Sequence, residues 1–96
     1  MAEIDPIIHA PARLRIMSAL VALQPRAQLD FRTLGKTLDL TDGNLGAHLQ
    51  TLEEAGYIKI EKSFVDRKPR THVSITTKGR AAFEEHVAAL REICRV

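Results

Sequence analysis

The chain has 96 residues, 45% hydrophobic and 27% charged, with a formal net charge of +2. Ninety-six residues predict one domain, 1–96, with a modest core, and the ordinary balance of apolar and charged residues excludes wholesale disorder. The single cysteine, Cys94, excludes an internal disulfide and a cysteine-built zinc site.

The N-terminal stretch MAEIDPIIHAPARLR has no apolar signal core and carries acids early, which predicts a cytoplasmic chain. No uninterrupted apolar run approaches the length of a membrane span. Asp5 before Pro6 predicts a cap for a short separate helix holding Ile7 and Ile8. Residues 11–23 read as a helix, with Pro11 at its first position and Pro25 beyond its end. Leu14, Ile16, Met17, Leu20, Val21 and Leu23 cover nearly half its circumference, so it is expected to be well buried. Arg13 projects onto that apolar face and needs a partner, for which Glu53 or Glu54 is the expected carboxylate.

Asp30 predicts the N-cap of a second helix, Phe31 to Leu38. Thr41 predicts the cap of a third, from Asp42 to about Ala55, striped by Leu45, Leu49 and Leu52. Two short helices joined by a few residues make a helix-turn-helix pattern. Gly56 stands where a helix C-cap glycine belongs. The period then changes: alternation over Tyr57–Val65 and again over Thr71, Val73 and Ile75 predicts a β-hairpin, with Asp66-Arg67-Lys68-Pro69 as its loop. Thr76 or Thr77 is expected to cap a last helix running to about Cys94, its apolar positions Phe83, Val87, Leu90 and Cys94, with Ala82, Ala89 and Ile93 beside them. The class is therefore mostly α, with an α+β character: three helices, a two-stranded hairpin wing, then a C-terminal helix.

Charge is distributed unevenly along this order. Residues 59–80 hold seven cations against two acids, whereas residues 30–57 hold two cations against five acids. Positive charge concentrated at one end suits contact with a polyanion.

The residues T-D-G-N-L-G-A-H-L-Q-T-L-E-E-A-G-Y-I, K-S-F-V-D-R-K-P-R-T and T-T-K-G-R, with H-A-P-A-R-L-R-I-M upstream, resemble the small winged helix-turn-helix transcription regulators of the MarR and ArsR groups. The likeness spans roughly residues 9–90. It implies a sequence-specific regulator that binds double-stranded DNA at a pseudo-palindromic operator as a homodimer, its terminal helices packed across a two-fold axis.

The residues themselves support a DNA-binding reading. With Leu45, Leu49 and Leu52 turned inward, a recognition helix at about 42–55 shows Thr41, Asn44, Ala47, His48 and Thr51 to the major groove. Asn44 suits an adenine edge, and His48 suits a base or a phosphate. Against this, Asn44 also suits the cap network and His48 an ordinary solvated position. Gly43 and Gly46 each cost about 1 kcal/mol relative to alanine in a helix, which calls for close approach by DNA or for a backbone packing contact. Arg67, Lys68 and Arg70 make the wing, 65–70, a partner for the minor groove or the flanking phosphates. A solvated charged turn is the plainer reading of those three alone.

For the dimer, Ile4, Ile7 and Ile8 at one end and Phe83, Val87, Leu90 and Ile93 at the other form the expected interface. The alternative is that they complete the core of one chain. No enzymatic constellation, glycine-rich phosphate loop or cofactor site is present in the sequence. His9, His48, His72 and His86 are scattered without ligand spacing, so no metal is expected, and no small-molecule effector is indicated. Cys94, on the apolar stripe, reads as a packing residue more simply than as a redox switch. The competing function is a winged-helix module for protein–protein interaction or assembly, without specific DNA binding.

Overall fold

A computed structural model describes residues 2–95. Helix α1, Pro11–Val21, starts on its proline, with Ala10 offering no side-chain cap. It ends two residues earlier than the apolar pattern suggested, and Leu23 closes a last tight turn onto the Leu20 carbonyl. A two-residue strand β1, Leu29–Asp30, follows. Helix α2, Phe31–Leu38, is capped by Asp30, whose carboxylate accepts from the backbone N–H groups of Arg32 at 3.1 Å and Thr33 at 3.2 Å. Asp39 ends it in the left-handed region at φ 54°, which a short polar side chain tolerates. Helix α3, Asp42–Glu54, is capped by the Thr41 hydroxyl. Its far end is closed by Gly56 at φ +80°, with Gly56 N–H on Glu53 O and Tyr57 N–H on Leu52 O; this pair of bonds is a Schellman closure.

Strands β2, Ile58–Val65, and β3, Lys68–Ile75, pair in antiparallel register from Ile58↔Ile75 to Val65↔Lys68. The connection is shorter than the four-residue loop expected. Only Asp66 and Arg67 turn, at φ 51° and 64°, the positive pair that a two-residue hairpin turn of matching twist demands. Lys68 and Pro69 therefore belong to β3. The pair Phe64↔Pro69 lies one step from the hydrogen-bonded closing pair, so its N–H positions point away from the ladder, and proline loses no bond there. The sheet also has a third strand that the alternation did not reveal. β1 pairs with β3 through Leu29↔Val73 and Asp30↔His72, giving the order β1-β3-β2. Two residues are too few to show a period.

Helix α4, Thr77–Ile93, is capped by Thr76. The Thr76 hydroxyl accepts from Gly79 N–H at 2.9 Å and donates to Gly56 O at 2.6 Å, and Thr76 N–H donates to Tyr57 O. The start of α4 is thereby bolted to the turn that ends α3.

The core is Ile8, Ile16, Met17, Leu20, Leu34, Leu38, Leu45, Leu49, Leu52, Ile58 and Val73, with Ile7, Phe31, Ile60 and Phe83 packed around it. α1 lies at its centre, and two arginines bind helix C-termini. Arg15 donates to Leu38 O at 2.9 Å and Arg80 to Val21 O at 3.2 Å, where exposed carbonyls and the helix dipole favour cations.

Three expectations about the chain ends need correction. Ile8 is wholly buried within the single chain, so it has no surface left for a partner. The fully buried positions of α4 are Gly79, His86 and Ala89, so its inward side is rotated from the expected stripe: Phe83 still packs at the edge of the core, while Val87 and Leu90 are only half-buried. Cys94 is exposed, because the last turns of α4 run past the body they pack on.

Asp5 ties the N-terminal segment down. Its carboxylate accepts from Ile7 N–H at 2.8 Å and Ile8 N–H at 3.3 Å, shaping a single turn in place of the short helix expected. It also accepts from the Tyr57 hydroxyl, and this hydrogen bond pushes the phenol up to about 12. Asp5 N–H donates to His86 Nδ1 at 3.0 Å, so the ring proton of the neutral imidazole sits on Nε2, which is buried without a partner. Burial holds His86 below the usual histidine range, with His9 beside it adding to the effect.

The unfolded state then binds a proton more readily than the folded state. Stability is expected to be intact above pH about 6.5 and to fall as pH drops below it, by at most about 1.4 kcal/mol per pH unit. Urea unfolding at pH 7.5 and 5.5 measures this. His86→Gln should flatten the slope, and an unchanged slope would refute the assignment.

Candidate nucleic-acid interface

Sequence spacing decides which part of α3 faces outward. Buried Leu45, Leu49 and Leu52 define its inner side. At about 100° per residue, Gly43, Ala47 and Gln50 lie opposite them, flanked by Asn44 and Thr51. Thr41, Gly43, Asn44, Ala47 and Gln50 are all exposed.

The expected residues divide in their chemistry. Thr41 spends its hydroxyl on Asn44 N–H at 3.2 Å. That contact uses the backbone of Asn44, and its side-chain amide has no hydrogen-bond partner among the described residues. The amide therefore stays available as a donor–acceptor pair. Thr51 returns its hydroxyl to Ala47 O at 3.2 Å and is half-buried.

His48 sits on the flank, half-buried against α1. Arg13 donates from Nε to Ile7 O, and its Nη1 lies 3.3 Å from His48 Nδ1. A guanidinium can only donate, so Nδ1 accepts and Nε2 carries the ring proton. This overturns the expectation that Arg13 pairs with Glu53 or Glu54. Both acids are exposed, on the far side of α3 from Arg13, and Glu54 accepts from the Gln50 amide at 3.2 Å instead. Gln50, which the sequence reading did not single out, shares the outward side of α3 with Gly43 and Ala47 by its spacing.

The two glycines of α3 are now interpretable. A Cβ built on Gly43 or Gly46 meets nothing within 4 Å. Packing inside the chain does not require either. Gly35 differs: its Cβ would lie 3.4 Å from both Leu40 O and Leu45 Cδ2, so its smallness lets α2 and α3 close together.

The hairpin supplies the cations. Every residue from Glu61 to Arg70 is exposed. Lys59 is paired with Glu61 at 3.1 Å, while Lys62, Arg67, Lys68 and Arg70 have no ion-pair partner among the described residues. Arg32, at the start of α2, joins Lys68 and Arg70 around a notch of about 340 Å³. Arg67 occupies the turn itself and Lys68 and Arg70 share one face of β3, so the three project in more than one direction. Among the described residues, no group of three acid, histidine or cysteine side chains is placed to hold a metal ion, and no helix is long and apolar enough to cross a membrane.

Residues 12–94 match the model of a winged helix DNA-binding domain family. An uncharacterised protein of Methanocaldococcus jannaschii is 34% identical over 89 residues, covering 93% of this chain and 94% of that one. The solved structure of a transcriptional regulator homologue from Pyrococcus horikoshii superposes with a TM-score of 0.82 at 39% identity, covering 92% of this chain and 84% of that one. The S. aureus MepR–DNA complex shares the fold, with a TM-score of 0.75 at 20% identity, covering 93% of this chain and 70% of that chain. The structural neighbours are MarR-family transcriptional regulators. The chain belongs to the winged helix DNA-binding domain family, and family and fold are those of a DNA-binding transcription regulator.

Proposed function

We propose that residues 1–96 act as one winged-helix unit that pairs as a homodimer and reads a pseudo-palindromic duplex. The exposed face of α3, Gly43, Asn44, Ala47 and Thr51 with Gln50 added, enters the major groove. Arg67, Lys68 and Arg70 hold the minor groove or its phosphates. The observation that carries this reading is the pairing of an unspent amide and two open glycines on α3 with unpartnered cations on the wing. Small residues let a helix approach base edges closely, and cations supply affinity independent of sequence. Thr41 orders the helix N-terminus. His48, held by Arg13, presents Nε2–H at the edge of the face, where it suits an acceptor such as a phosphate oxygen.

Selection of bound duplexes from a random pool tests the reading. Two inverted half-sites about 10 base pairs apart, or a multiple of that, are expected. A pool that shows no enrichment would sink it.

The dimer is supported by what one chain leaves uncovered. Ile93 is 62% exposed, Val87 and Leu90 are half-buried, and Ile4 is partly exposed at the other end. Ile7 and Phe83 keep part of their surface beside them, but Ile8 does not. Because Ile93 already faces solvent, Ile93→Glu should leave the folded monomer intact. It is expected to halve the sedimenting mass. A wild-type chain that is monomeric at micromolar concentration would end the dimer proposal.

A further inference from the structure

We propose that Phe64, braced by Pro69, is an apolar wedge at the tip of the wing that enters the minor groove and unstacks a base step. The proposal rests on the DNA-binding reading above and assigns the wing tip a task beyond charge.

Phe64 is 78% exposed, the most exposed large hydrophobic among the described residues. Nothing in the fold uses it. Antiparallel pairing places Phe64, Pro69, Lys62 and Thr71 on one face of the hairpin, the same face that carries Ile60 and Val73 into the core. The core face thus continues outward past the body and ends at the cross-strand pair Phe64↔Pro69. Their positions form a non-hydrogen-bonded pair, the kind that brings side chains closest. The two-residue turn leaves little slack behind them.

The dimensions suit a groove. Phe64 lies four residues beyond Ile60, or about 13 Å along the strand. A minor groove is about 7.5 Å deep and about 6 Å wide, too narrow for a two-stranded ribbon but open to side chains projecting from its tip. Phenylalanine and proline are among the side chains that open base steps from the minor groove.

Charge selects the occupant. Lys62 lies on the wedge face, and Arg67, Lys68 and Arg70 surround the tip without ion-pair partners. An apolar protein surface would strip water from these cations and return nothing. Stacked bases flanked by phosphates offer an apolar interior and anionic walls within a few ångströms. An anionic bilayer offers both as well, but one ring on a two-stranded blade presents little apolar area to a membrane.

The experiment uses the full chain and a duplex recovered by selection, with 2-aminopurine placed in turn at each step beneath the wing. Wild-type protein should raise the emission at one step, because unstacking relieves its quenching. Phe64→Ala should abolish the rise and weaken binding by about tenfold, most at flexible pyrimidine–purine steps. It should still bind duplex and fold, since the ring is exposed. Phe64→Leu, which keeps a wedge, should retain part of the rise.

Duplex binding with no rise at any step, or an equal rise with Phe64→Ala, overturns the wedge and leaves the DNA reading standing. Phe64-dependent capture by phosphatidylserine vesicles, with emission unchanged on DNA, assigns the tip to membranes and overturns it too. A wild-type chain that binds no duplex overturns the DNA reading itself, and the wedge with it.

Discussion

Replacing Gly79 with alanine is expected to cost about 3 kcal/mol, at the upper end of the usual range for forcing atoms into a packed site. The Cβ would lie 2.0 Å from Tyr57 O and under 3.0 Å from two further backbone atoms of that residue. No rotamer change relieves a clash with backbone. Tyr57 O already accepts from Thr76 N–H, and Thr76 already bridges Gly56 O to Gly79 N–H. Moving α4 away breaks the two bonds from Thr76 to Tyr57 O and Gly56 O, and keeping it in place drives atoms together. In a chain of this size the loss should lower Tm by roughly 15 °C.

Gly46→Ala is the contrasting measurement. The same methyl group in open space should raise stability by up to about 1 kcal/mol, because alanine loses less backbone freedom on joining a helix. Calorimetry on both variants settles the comparison. Equal shifts would show that the junction between the α3 closure and the start of α4 is not the constraint inferred. A stabilised Gly46→Ala that also binds duplex more weakly would show that the cost of this glycine serves contact from outside.

The contrast between these glycines also shows where sequence reading runs out. Gly56 was legible because a glycine after a helical stripe and before an alternating run has a local cause. The caps Asp30 and Thr41 were legible for the same reason: each bonds two or three residues along its own chain. Gly79 sits in T-T-K-G-R, where its neighbours are helix formers and caps. What requires it is a carbonyl 22 positions earlier, and no local pattern reports that.

Arg13 shows the same limit. Its place on an inward face was legible, but its partners, Ile7 O and His48, follow from how the N-terminal turn folds over α1. On α4 the apolar count misled, because small Gly79 and Ala89 and the polar His86 face the body, while Ile93 lies past its edge. The number of cations on the hairpin was readable directly, whereas the outward place of Gln50 on α3 follows only from holding strictly to the helical period.

Neutralising Arg67, Lys68 and Arg70 together is expected to lower affinity for every duplex by about 500-fold at 0.1 M salt, if each touches one phosphate. Each such contact releases counterions and contributes about 0.9 to the slope of log affinity against log salt, so the variant's slope should be shallower by about 2.7. Folding should not suffer. All three side chains are exposed and none has an ion-pair partner among the described residues.

The variant removes three charges from a chain whose net charge is +2, so a control must remove three exposed cations elsewhere. Arg26, Lys36 and Arg95 serve. If the control falls as far as the wing variant, the effect is bulk charge and the wing has no special place. Asn44→Ala supplies the orthogonal measurement. An amide reading a base edge discriminates by about 1–3 kcal/mol at one position, so its loss should shrink the ratio of specific to random binding and leave the salt slope alone. Wing loss should shift both affinities together and leave the ratio nearly unchanged. Salt titrations of the three variants on a selected and a scrambled duplex therefore separate holding from reading. Unchanged affinity of the wing variant at low salt would mean that the hairpin does not touch DNA.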